Sequence, residues 1–442
     1  MDFVSRRPPC PLTGTIDVPG DKSLSHRAIL FAAMAEGASH LSGILESTDV
    51  QATINAVRAL GAEVESRSVS GEHELVVTGW GSIGPKAPRE PIDCENSGTT
   101  ARLLSGMLAG WNIEVTLHGD ASLSRRPMKR VIDPLEQMGA RFESADGRLP
   151  ITVRGGGLTT IAYEGAVASA QIKTAVLLAG MQAEGRTSVR EPAASRDHTE
   201  RLLPEFGVSV GTDSVRHEAW VDGPVTPVAA NIVVPGDPSS AAFIIAAGLL
   251  VLNSEIAVRD MSINPTRVAF LDVIERMGAD VMIEPRTPAS FEPVGTVHVR
   301  FTRPLHATTV RAHEIPALID EIPVLALIAT QAEGVTRFEH VNELRVKESD
   351  RLAAIIEGLT ELGAHVHADG DDLLVCGPSE LHAGTLYSRG DHRLAMAWAL
   401  AGLISSGPVT VKGFEAVDVS YPGFARDLSR LSSGTGPVSD VL

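Results

Sequence analysis

The chain has 442 residues, a formal net charge of −17, and 43% hydrophobic but only 4% aromatic residues. This length exceeds one ordinary hydrophobic core, so two or more domains are expected. The acidic balance argues against nucleic acid and anionic membranes as general partners, and any anion site must be built from Lys and Arg side chains that converge locally.

The cysteines and the apolar runs bear on the cell compartment. Cys10, Cys94 and Cys376 lie far apart without a CxxC pair, so neither a disulfide framework nor a zinc site is expected. A reducing cytoplasm is the predicted location. The N-terminal sequence MDFVSRRPPCPLTG lacks the apolar region of a secretory signal. The longest apolar run, residues 241–252, is too short to span a bilayer and predicts a buried helix.

One pattern recurs along the chain: a helical stretch ends in an apolar residue, followed by Gly and a short strand. Gly suits the C-terminus of a helix because a left-handed residue there is favourable only without a Cβ. The five copies are ALGAEV at 59–64, QMGARF at 137–142, EFGVSV at 205–210, RMGADV at 276–281 and ELGAHV at 361–366. A small-residue helix, a Gly break and a strand alternate with this pattern. The period of roughly 70 residues fits a whole βαβαββ unit rather than a solenoid repeat.

A longer repeat divides the chain into halves. IDVPGDKSLSHRAILFAAMA, which starts at Ile16, resembles IVVPGDPSSAAFIIAAGLL, which starts at Ile232. The repeats predict an α/β fold of two similar domains, each with three βαβαββ units. We expect one domain to comprise residues 1–18 and 236–442 and the other residues 19–235, with Pro-Gly hinges at the crossings and the active site in the inter-domain cleft. Residues 11–18 are predicted to complete the last unit.

The two copies of this longer repeat share a frame but differ in charge. The first copy carries Lys22, Ser23 and Arg27, whereas the second has Pro238 and Ser239 at the positions of Lys22 and Ser23. Ser23 and Arg27 are four residues apart and share one face at a helix start, where the backbone favours anions. The first copy is therefore a candidate anion site. A Ser N-cap with solvated cations is the alternative.

The other candidates of the first half also lie at predicted helix starts. Small residues there let a ligand approach the backbone amides. Capped helices and solvated basic faces are the alternatives, although Gln171 and Lys173 are unusual choices for a purely structural cap. The candidates are Gly98 in NSGTTAR, Arg126 in SRRPMKR, Ser169, Ala170 and Gln171 in ASAQIK, and Arg196 in RDHTE.

In the second half, charged groups interrupt apolar runs. Asp320 and Glu321 are adjacent carboxylates between apolar stretches, where burial is costly without partners, and they suggest a general base. Helix capping and an i,i+4 ladder of ion pairs are the alternatives in this half. The remaining candidates, which carry charge at later helix starts, are Lys347, Glu348, Arg351 and Arg393.

Seven motifs together resemble one enzyme family over nearly the whole chain. In order, GDKSLSHR, NSGTTAR, SRRPMKR, ASAQIK, IDE, RVKESDR and DHRLAMA look like the 3-phosphoshikimate 1-carboxyvinyltransferases, also called EPSP synthases. The resemblance implies a two-domain enolpyruvyl transferase of the inverted α/β barrel type. It implies transfer of the enolpyruvyl group of phosphoenolpyruvate to the 5-hydroxyl of 3-phosphoshikimate, with release of phosphate, in the shikimate pathway to chorismate and aromatic amino acids. No metal or cofactor is implied, and we expect a monomer.

The resemblance also implies roles for individual residues. Asp320 would accept a proton, Glu348 would donate one, and Lys22 would be the third catalytic residue. The implied phosphoshikimate contacts are Lys22, Ser23, Arg27, Ser169, Ala170, Gln171, Arg196, Asp320 and Lys347. The implied phosphoenolpyruvate contacts are Lys22, Gly98, Arg126, Gln171, Arg351 and Arg393.

Subclass and rival functions can be compared on single motifs. RDHTE and NPTR, at 196–200 and 264–267, resemble the glyphosate-tolerant subclass, but tolerant members often have Ala at the position of Gly98. A UDP-N-acetylglucosamine enolpyruvyl transferase, the first rival, uses a loop Cys where this chain has DASLSRRPM. A non-catalytic phospho-ligand sensor, the second rival, is expected to have lost Asp320 or Glu348, and both are present.

Overall fold

The computed structural model describes residues 1–69, 72–286 and 291–432, and the chain divides into two compact units. One unit comprises Met1–Pro19 and Pro235–Leu442, and the other comprises Gly20–Val234. We call them the discontinuous unit and the central unit. None of the helices in the described part of the chain is both long and apolar enough to cross a membrane.

Helices and strands are interspersed along the whole described chain. The helices are α1 Lys22–Met34, α2 Thr48–Ala59, α3 Gly98–Leu108, α4 Lys129–Gln137, α5 Ala170–Gly180, α6 His198–Leu202, α7 Pro238–Leu250, α8 Ala269–Arg276, α9 Ile315–Leu318, α10 Ile322–Ala329, α11 Arg351–Glu361, α12 His392–Ile404 and α13 Phe424–Ser432. The strands are β1 Asp2–Ser5, β2 Thr13–Asp17, β3 Ala38–Ser42, β4 Glu63–Val69, β5 Glu72–Thr78, β6 Ile92–Asp93, β7 Glu114–His118, β8 Arg141–Ala145, β9 Arg148–Arg154, β10 Ala162–Glu164, β11 Gly185–Arg190, β12 Val210–Asp213, β13 Glu218–Gly223, β14 Asn231–Val233, β15 Glu255–Ser262, β16 Asp280–Pro285, β17 Val294–Arg300, β18 Leu305–His306, β19 Thr309–Val310, β20 Ala332–Phe338, β21 His365–Asp369, β22 Asp372–Gly377, β23 Gly384–Tyr387 and β24 Val409–Lys412.

The central unit contains three sheets with the same internal pattern. Their strand orders are β14-β3-β5-β4, β6-β7-β9-β8 and β10-β11-β13-β12. In each sheet the first pair of strands is parallel and the next two pairs are antiparallel. The predicted repeat of three similar α/β units is therefore visible in the strand pairing itself.

In the discontinuous unit, two sheets contain the same pattern of strand pairing, and the third has three strands in the described part of the chain. The sheets of this unit have the orders β16-β17-β15-β2, β18-β20-β22-β21 and β1-β24-β23. One sequence-based prediction is corrected here. The prediction that residues 11–18 complete the last unit is wrong, because β2 runs parallel to β15 in the first sheet. Asp2–Ser5 pairs with β24 instead, and Asp2 forms an ion pair with Lys412. The ring of Phe3 stacks on that of Phe414, with 4.2 Å between the ring centroids.

The glycines predicted to end helices adopt the expected backbone conformation. Gly61, Gly139, Gly207, Gly278 and Gly363 all have positive φ values, between 74° and 109°. A residue with a Cβ is strained in this region, which explains why Gly recurs at the same point of each repeat.

Within each repeat, the first helix is buried and rich in small residues. All thirteen residues of α7 are buried, and in α12 every residue from His392 to Leu403 is buried. Small residues let such helices approach closely: a Cβ at Gly106 in α3 would lie 2.1 Å from the carbonyl oxygen of Ala175 in α5. The start of each of these helices is consequently held in a fixed position by the core around it.

Candidate active site

In the central unit, the predicted site residues lie at the starts of the buried helices. Lys22 and Ser23 open α1, Gly98 opens α3, and Ala170 opens α5. The N-cap residues Asp21, Ser97 and Ser169 accept hydrogen bonds from the backbone N–H groups of Leu24, Thr100 and Ile172, respectively. Capping explains part of each motif, and the N-terminal ends of these helices favour negative charge.

Arg27 joins two of the predicted segments inside the central unit. It is 2% exposed, and its Nη1 donates to the carbonyl oxygen of Ser23 at 2.9 Å. Its Nη2 donates to Thr174 Oγ1 at 2.9 Å and lies 3.5 Å from the carbonyl oxygen of Ala170, while Nε donates to Thr199 Oγ1 at 2.9 Å. These acceptors hold the guanidinium in one orientation, and an oriented guanidinium can bind an anion.

Lys22 is paired with an acidic residue that the sequence did not single out. Its Nζ lies 3.1 Å from Oδ2 of Asp49 in α2, and its side chain is 16% exposed. The pair fixes the ammonium group at the start of α1 and leaves part of it accessible to a ligand.

Gln171 lies between two residues of the NSGTTAR motif. Its Nε2 donates to Thr99 Oγ1 at 2.9 Å, and its Oε1 accepts from Arg102 Nη1 at 2.8 Å. Arg102 in turn lies against Gly98, where a Cβ would approach Nη1 to 2.6 Å. The glycine therefore leaves room for Arg102, and Arg102 orients the side-chain amide of Gln171.

Arg126 follows a short turn and is held by the loop before α3. Its Nη2 lies 2.5 Å from Asn96 Oδ1 and 3.3 Å from Ser122 Oγ, and the residue is 9% exposed. Arg196 lies, half-buried, in the segment before α6. These two arginines thus occupy different segments of the unit.

In the discontinuous unit, three carboxylates surround Arg351, which is fully buried. Its Nε donates to Asp391 Oδ2 at 2.7 Å, its Nη1 to Asp320 Oδ1 at 3.1 Å, and its Nη2 to Glu348 Oε2 at 2.5 Å. Burial opposes the charge of the guanidinium, but Asp391, Glu348 and Asp320 together raise its pKa above the ordinary value. The cation is permanent, and it brings the two predicted acid–base residues, Asp320 and Glu348, to one group.

Arg393, in α12, approaches Asp320, which lies in the turn between α9 and α10. Its Nη2 is 3.4 Å from Asp320 Oδ2, and its Nη1 is 3.3 Å from the carbonyl oxygen of the same residue. The neighbouring Glu321 is 1% exposed, accepts a short hydrogen bond from Ser239 Oγ and lies 4.0 Å from Arg393 Nη1. The starts of α7, α10 and α12 are thus joined through Ser239, Glu321 and Arg393.

Lys347 follows the short turn Asn342–Val346 and is half-buried. Removal from water lowers the pKa of its ammonium group below the ordinary value, and the nearby carboxylates Asp320, Glu343 and Glu348 offset only part of this effect. A bound phosphate group would favour the charged form of this lysine.

The second copy of the longer repeat, at the start of α7, has its cation outside the helix, at Arg267. Asp237 caps α7, and Arg267 Nη2 donates to Asp237 Oδ1 at 2.7 Å and to Ser239 Oγ at 3.0 Å. Because Arg267 is only 2% exposed, its charge serves this internal network. The first copy instead keeps its cation, Lys22, on the first helix and partly accessible.

Comparison with known proteins places this geometry in a family. The family model of EPSP synthase (3-phosphoshikimate 1-carboxyvinyltransferase) matches residues 6–428. The chain belongs to this family. The 3-phosphoshikimate 1-carboxyvinyltransferase of Bacillus cereus strain 03BB102 is 44% identical over 426 residues, which cover 95% of this chain and 97% of the relative. That of Bacillus thuringiensis strain Al Hakam has the same identity and coverage.

Solved structures agree with the EPSP synthase fold. EPSP synthase from Acinetobacter baumannii matches with a TM-score of 0.85 and 39% identity, over 99% of this chain and 98% of that chain. The enolpyruvyl transferase NikO from Streptomyces tendae, at 18% identity and a TM-score of 0.76, shares the fold over 97% of each chain. The predicted α/β class with repeated units is confirmed.

Several residues that hold the site together were not predicted from the sequence. Asp49 and Asn96 hold predicted cations, Arg102 orients Gln171, and Asp391 anchors Arg351. Asn96 and Arg102 lie in the motif NSGTTAR and Asp391 lies in DHRLAMA, but the motifs did not indicate these roles. Within residues 1–69, 72–286 and 291–432, no group of three or more His, Cys, Asp or Glu side chains is placed to hold a metal ion.

Proposed function

We propose that this chain transfers the enolpyruvyl group of phosphoenolpyruvate to the 5-hydroxyl of 3-phosphoshikimate and releases phosphate. The observation that carries the proposal is the arrangement around Arg351, in which one permanent cation contacts both Asp320 and Glu348. Together with family membership, it supports an acid–base reaction on an anionic substrate, because the arginine can stabilise charge that develops while the carboxylates move protons.

Two sets of residues are proposed to bind the substrates. The first set binds phosphoshikimate and comprises Lys22, Ser23, Arg27, Ser169, Ala170, Gln171, Arg196, Asp320 and Lys347. The second set binds phosphoenolpyruvate and comprises Lys22, Gly98, Arg126, Gln171, Arg351 and Arg393. That residues of both units act on one pair of substrates is part of the proposal, as is the predicted cleft in which they would do so.

The proposed reaction balances as an addition followed by an elimination. The 5-hydroxyl oxygen forms a bond to C2 of phosphoenolpyruvate while C3 gains a proton from the side of Glu348, and Asp320 accepts the hydroxyl proton. The tetrahedral intermediate then loses phosphate by cleavage of the C2–O bond, and the proton held by Asp320 passes to the leaving phosphate. C3 returns a proton to Glu348, which gives the enol ether and restores both carboxyl groups. Lys22 and the arginines stabilise negative charge on the carboxylate and the phosphates during both steps.

The proposal is tested by phosphate release from purified protein. Phosphate should appear when both 3-phosphoshikimate and phosphoenolpyruvate are supplied, and neither substrate alone should suffice. Release with UDP-N-acetylglucosamine in place of phosphoshikimate would contradict the proposal.

The monomeric state and the cytoplasmic location stay predictions. Size-exclusion chromatography with light scattering tests the monomeric state. A glyphosate titration against phosphoenolpyruvate tests whether the tolerant subclass is the right one.

A further inference from the structure

The central unit contains a buried charge cluster formed by Lys173, Glu191 and Glu200. Lys173 Nζ lies 2.7 Å from Glu200 Oε1 and 3.1 Å from Glu191 Oε2, and the three side chains are at most 8% exposed. Burial alone would lower the pKa of Lys173, but Glu200 and Glu191 raise it above the ordinary value. The lysine therefore stays charged, and the cluster is an ion-paired network.

Both carboxylate oxygens of Glu191 also accept hydrogen bonds, including Oε2, which forms the ion pair with Lys173. Oε1 accepts the backbone N–H of Ser169 at 2.6 Å, and Oε2 accepts the hydroxyl of Ser195 at 2.7 Å. Ser169 is the N-cap residue of α5, and Ser195 directly precedes Arg196. One buried carboxylate thus holds two separate segments to which the proposed function assigns phosphoshikimate contacts.

The cluster also joins two motifs that lie apart in the sequence. Lys173 ends the motif ASAQIK, and Glu200 ends the motif RDHTE. Two carboxylates share one ammonium group, and burial raises the pKa of Glu200 above its ordinary value. Buried ion pairs often stabilise a fold no better than apolar residues of the same volume do. A network of this kind is therefore better explained by the geometry that it imposes than by stability alone.

We propose that Glu191, held in place by Lys173, is a positioning residue that fixes Ser169 and the segment of Ser195 and Arg196 for 3-phosphoshikimate. The inference rests on the proposed function and deepens it, because it names the group that orders the phosphoshikimate contacts of the central unit. Glu191 acts through Ser169 and Ser195 and is not itself a ligand.

Glu191→Gln tests this role with little change in volume. The amide oxygen of the new side chain will face the ammonium group of Lys173, so its NH2 group will face the N–H of Ser169, donor against donor. The contact to Ser169 is lost, while Lys173 keeps one charged partner and one neutral acceptor. Glu164→Gln is the matched control, because Glu164 forms an exposed ion pair with Arg190, the residue directly before Glu191.

Steady-state phosphate release then separates positioning from a general structural role. We expect Glu191→Gln to raise the KM for phosphoshikimate about tenfold, which corresponds to ~1.4 kcal/mol, the cost of one lost hydrogen bond to a charged group. The KM for phosphoenolpyruvate and kcat should change by less than twofold, and Glu164→Gln should leave all three constants unchanged. An unchanged KM for phosphoshikimate, or an equal loss in all three constants, would overturn the inference.

Ser195→Ala provides a second variant that removes only a half-buried hydroxyl. It should raise the KM for phosphoshikimate severalfold in the wild-type background and less than 1.5-fold in an Arg196→Ala background, since Ser195 acts by placing Arg196. Equal effects in the two backgrounds would refute the positioning role, even if Glu191→Gln does not fold. If the wild-type protein releases no phosphate with both substrates, the proposed function itself is wrong, and the inference falls with it.

Discussion

Replacing Gly98 by Ala is expected to weaken phosphoenolpyruvate binding through Arg102. The new Cβ would lie 2.6 Å from Arg102 Nη1, whereas non-bonded heavy atoms ordinarily stay about 3.5 Å apart. The guanidinium must therefore retreat by roughly 0.9 Å. Its hydrogen bond to Gln171 Oε1, now 2.8 Å long, is the contact at risk, and Gln171 is proposed to bind both substrates.

The magnitude follows from the strength of that bond. A hydrogen bond to a charged group contributes about 1.5–3 kcal/mol, which corresponds to roughly 10- to 150-fold in affinity. Gln171 keeps its bond to Thr99, so we expect the lower end, about a tenfold rise in the KM for phosphoenolpyruvate. Phosphate release at saturating phosphoshikimate measures it.

A double-mutant cycle identifies the route of this effect. If the methyl group acts by displacing Arg102, then Gly98→Ala should change the KM less than twofold in an Arg102→Ala background. Gly165→Ala is the control, because a Cβ there would lie 3.4 Å from the carbonyl oxygen of Val167, an ordinary van der Waals contact. A full tenfold rise in the Arg102→Ala background, or an unchanged KM in the single variant, would refute the reasoning.

Three further substitutions probe the discontinuous unit. Asp320→Asn should lower kcat about 10³-fold, the usual contribution of a general base, with both substrate dissociation constants within threefold by calorimetry; a kcat within tenfold of wild type would remove Asp320 from that role. Burial lowers the pKa of Lys347. The decline of kcat/KM for phosphoshikimate at high pH should therefore occur at a pH below the usual lysine pKa. Lys347→Arg should move that decline to higher pH, and an unmoved pH profile would contradict the assignment. Arg267→Met removes the buried ion pair with Asp237, at a cost of about 3–5 kcal/mol, so scanning calorimetry should show a Tm lower by roughly 10 °C rather than unchanged.

The sequence predicted those features of the fold that depend on neighbouring residues. Gly207 and the corresponding glycines were recognised because a helix end needs a left-handed residue, which is a local requirement. The strand that completes the last sheet was misplaced. Residues 11–18 and Asp2–Ser5 both have strand character, and the ion pair of Asp2 with Lys412, more than 400 residues away, contributes to the choice between them.

Candidate site residues could be named from the sequence, whereas the residues that hold them in place could not. Lys22 and Arg351 stand in charged motifs at helix starts, which is a local signal. Their partners, Asp49 and Asp391, are 27 and 40 residues away in sequence, and no periodicity connects them. The same holds for Glu191, whose contacts to Ser169 and Ser195 become visible only when the helices are packed.

The most direct test of the central claim is the identity of the product. Purified protein should be incubated with equimolar 3-phosphoshikimate and phosphoenolpyruvate, and the mixture analysed by mass spectrometry and ³¹P NMR. The account predicts one enolpyruvyl ether of phosphoshikimate for each phosphate released, and no such product from the Asp320→Asn variant on the same time scale. Phosphate release without the ether, or an ether formed on UDP-N-acetylglucosamine instead, would contradict it.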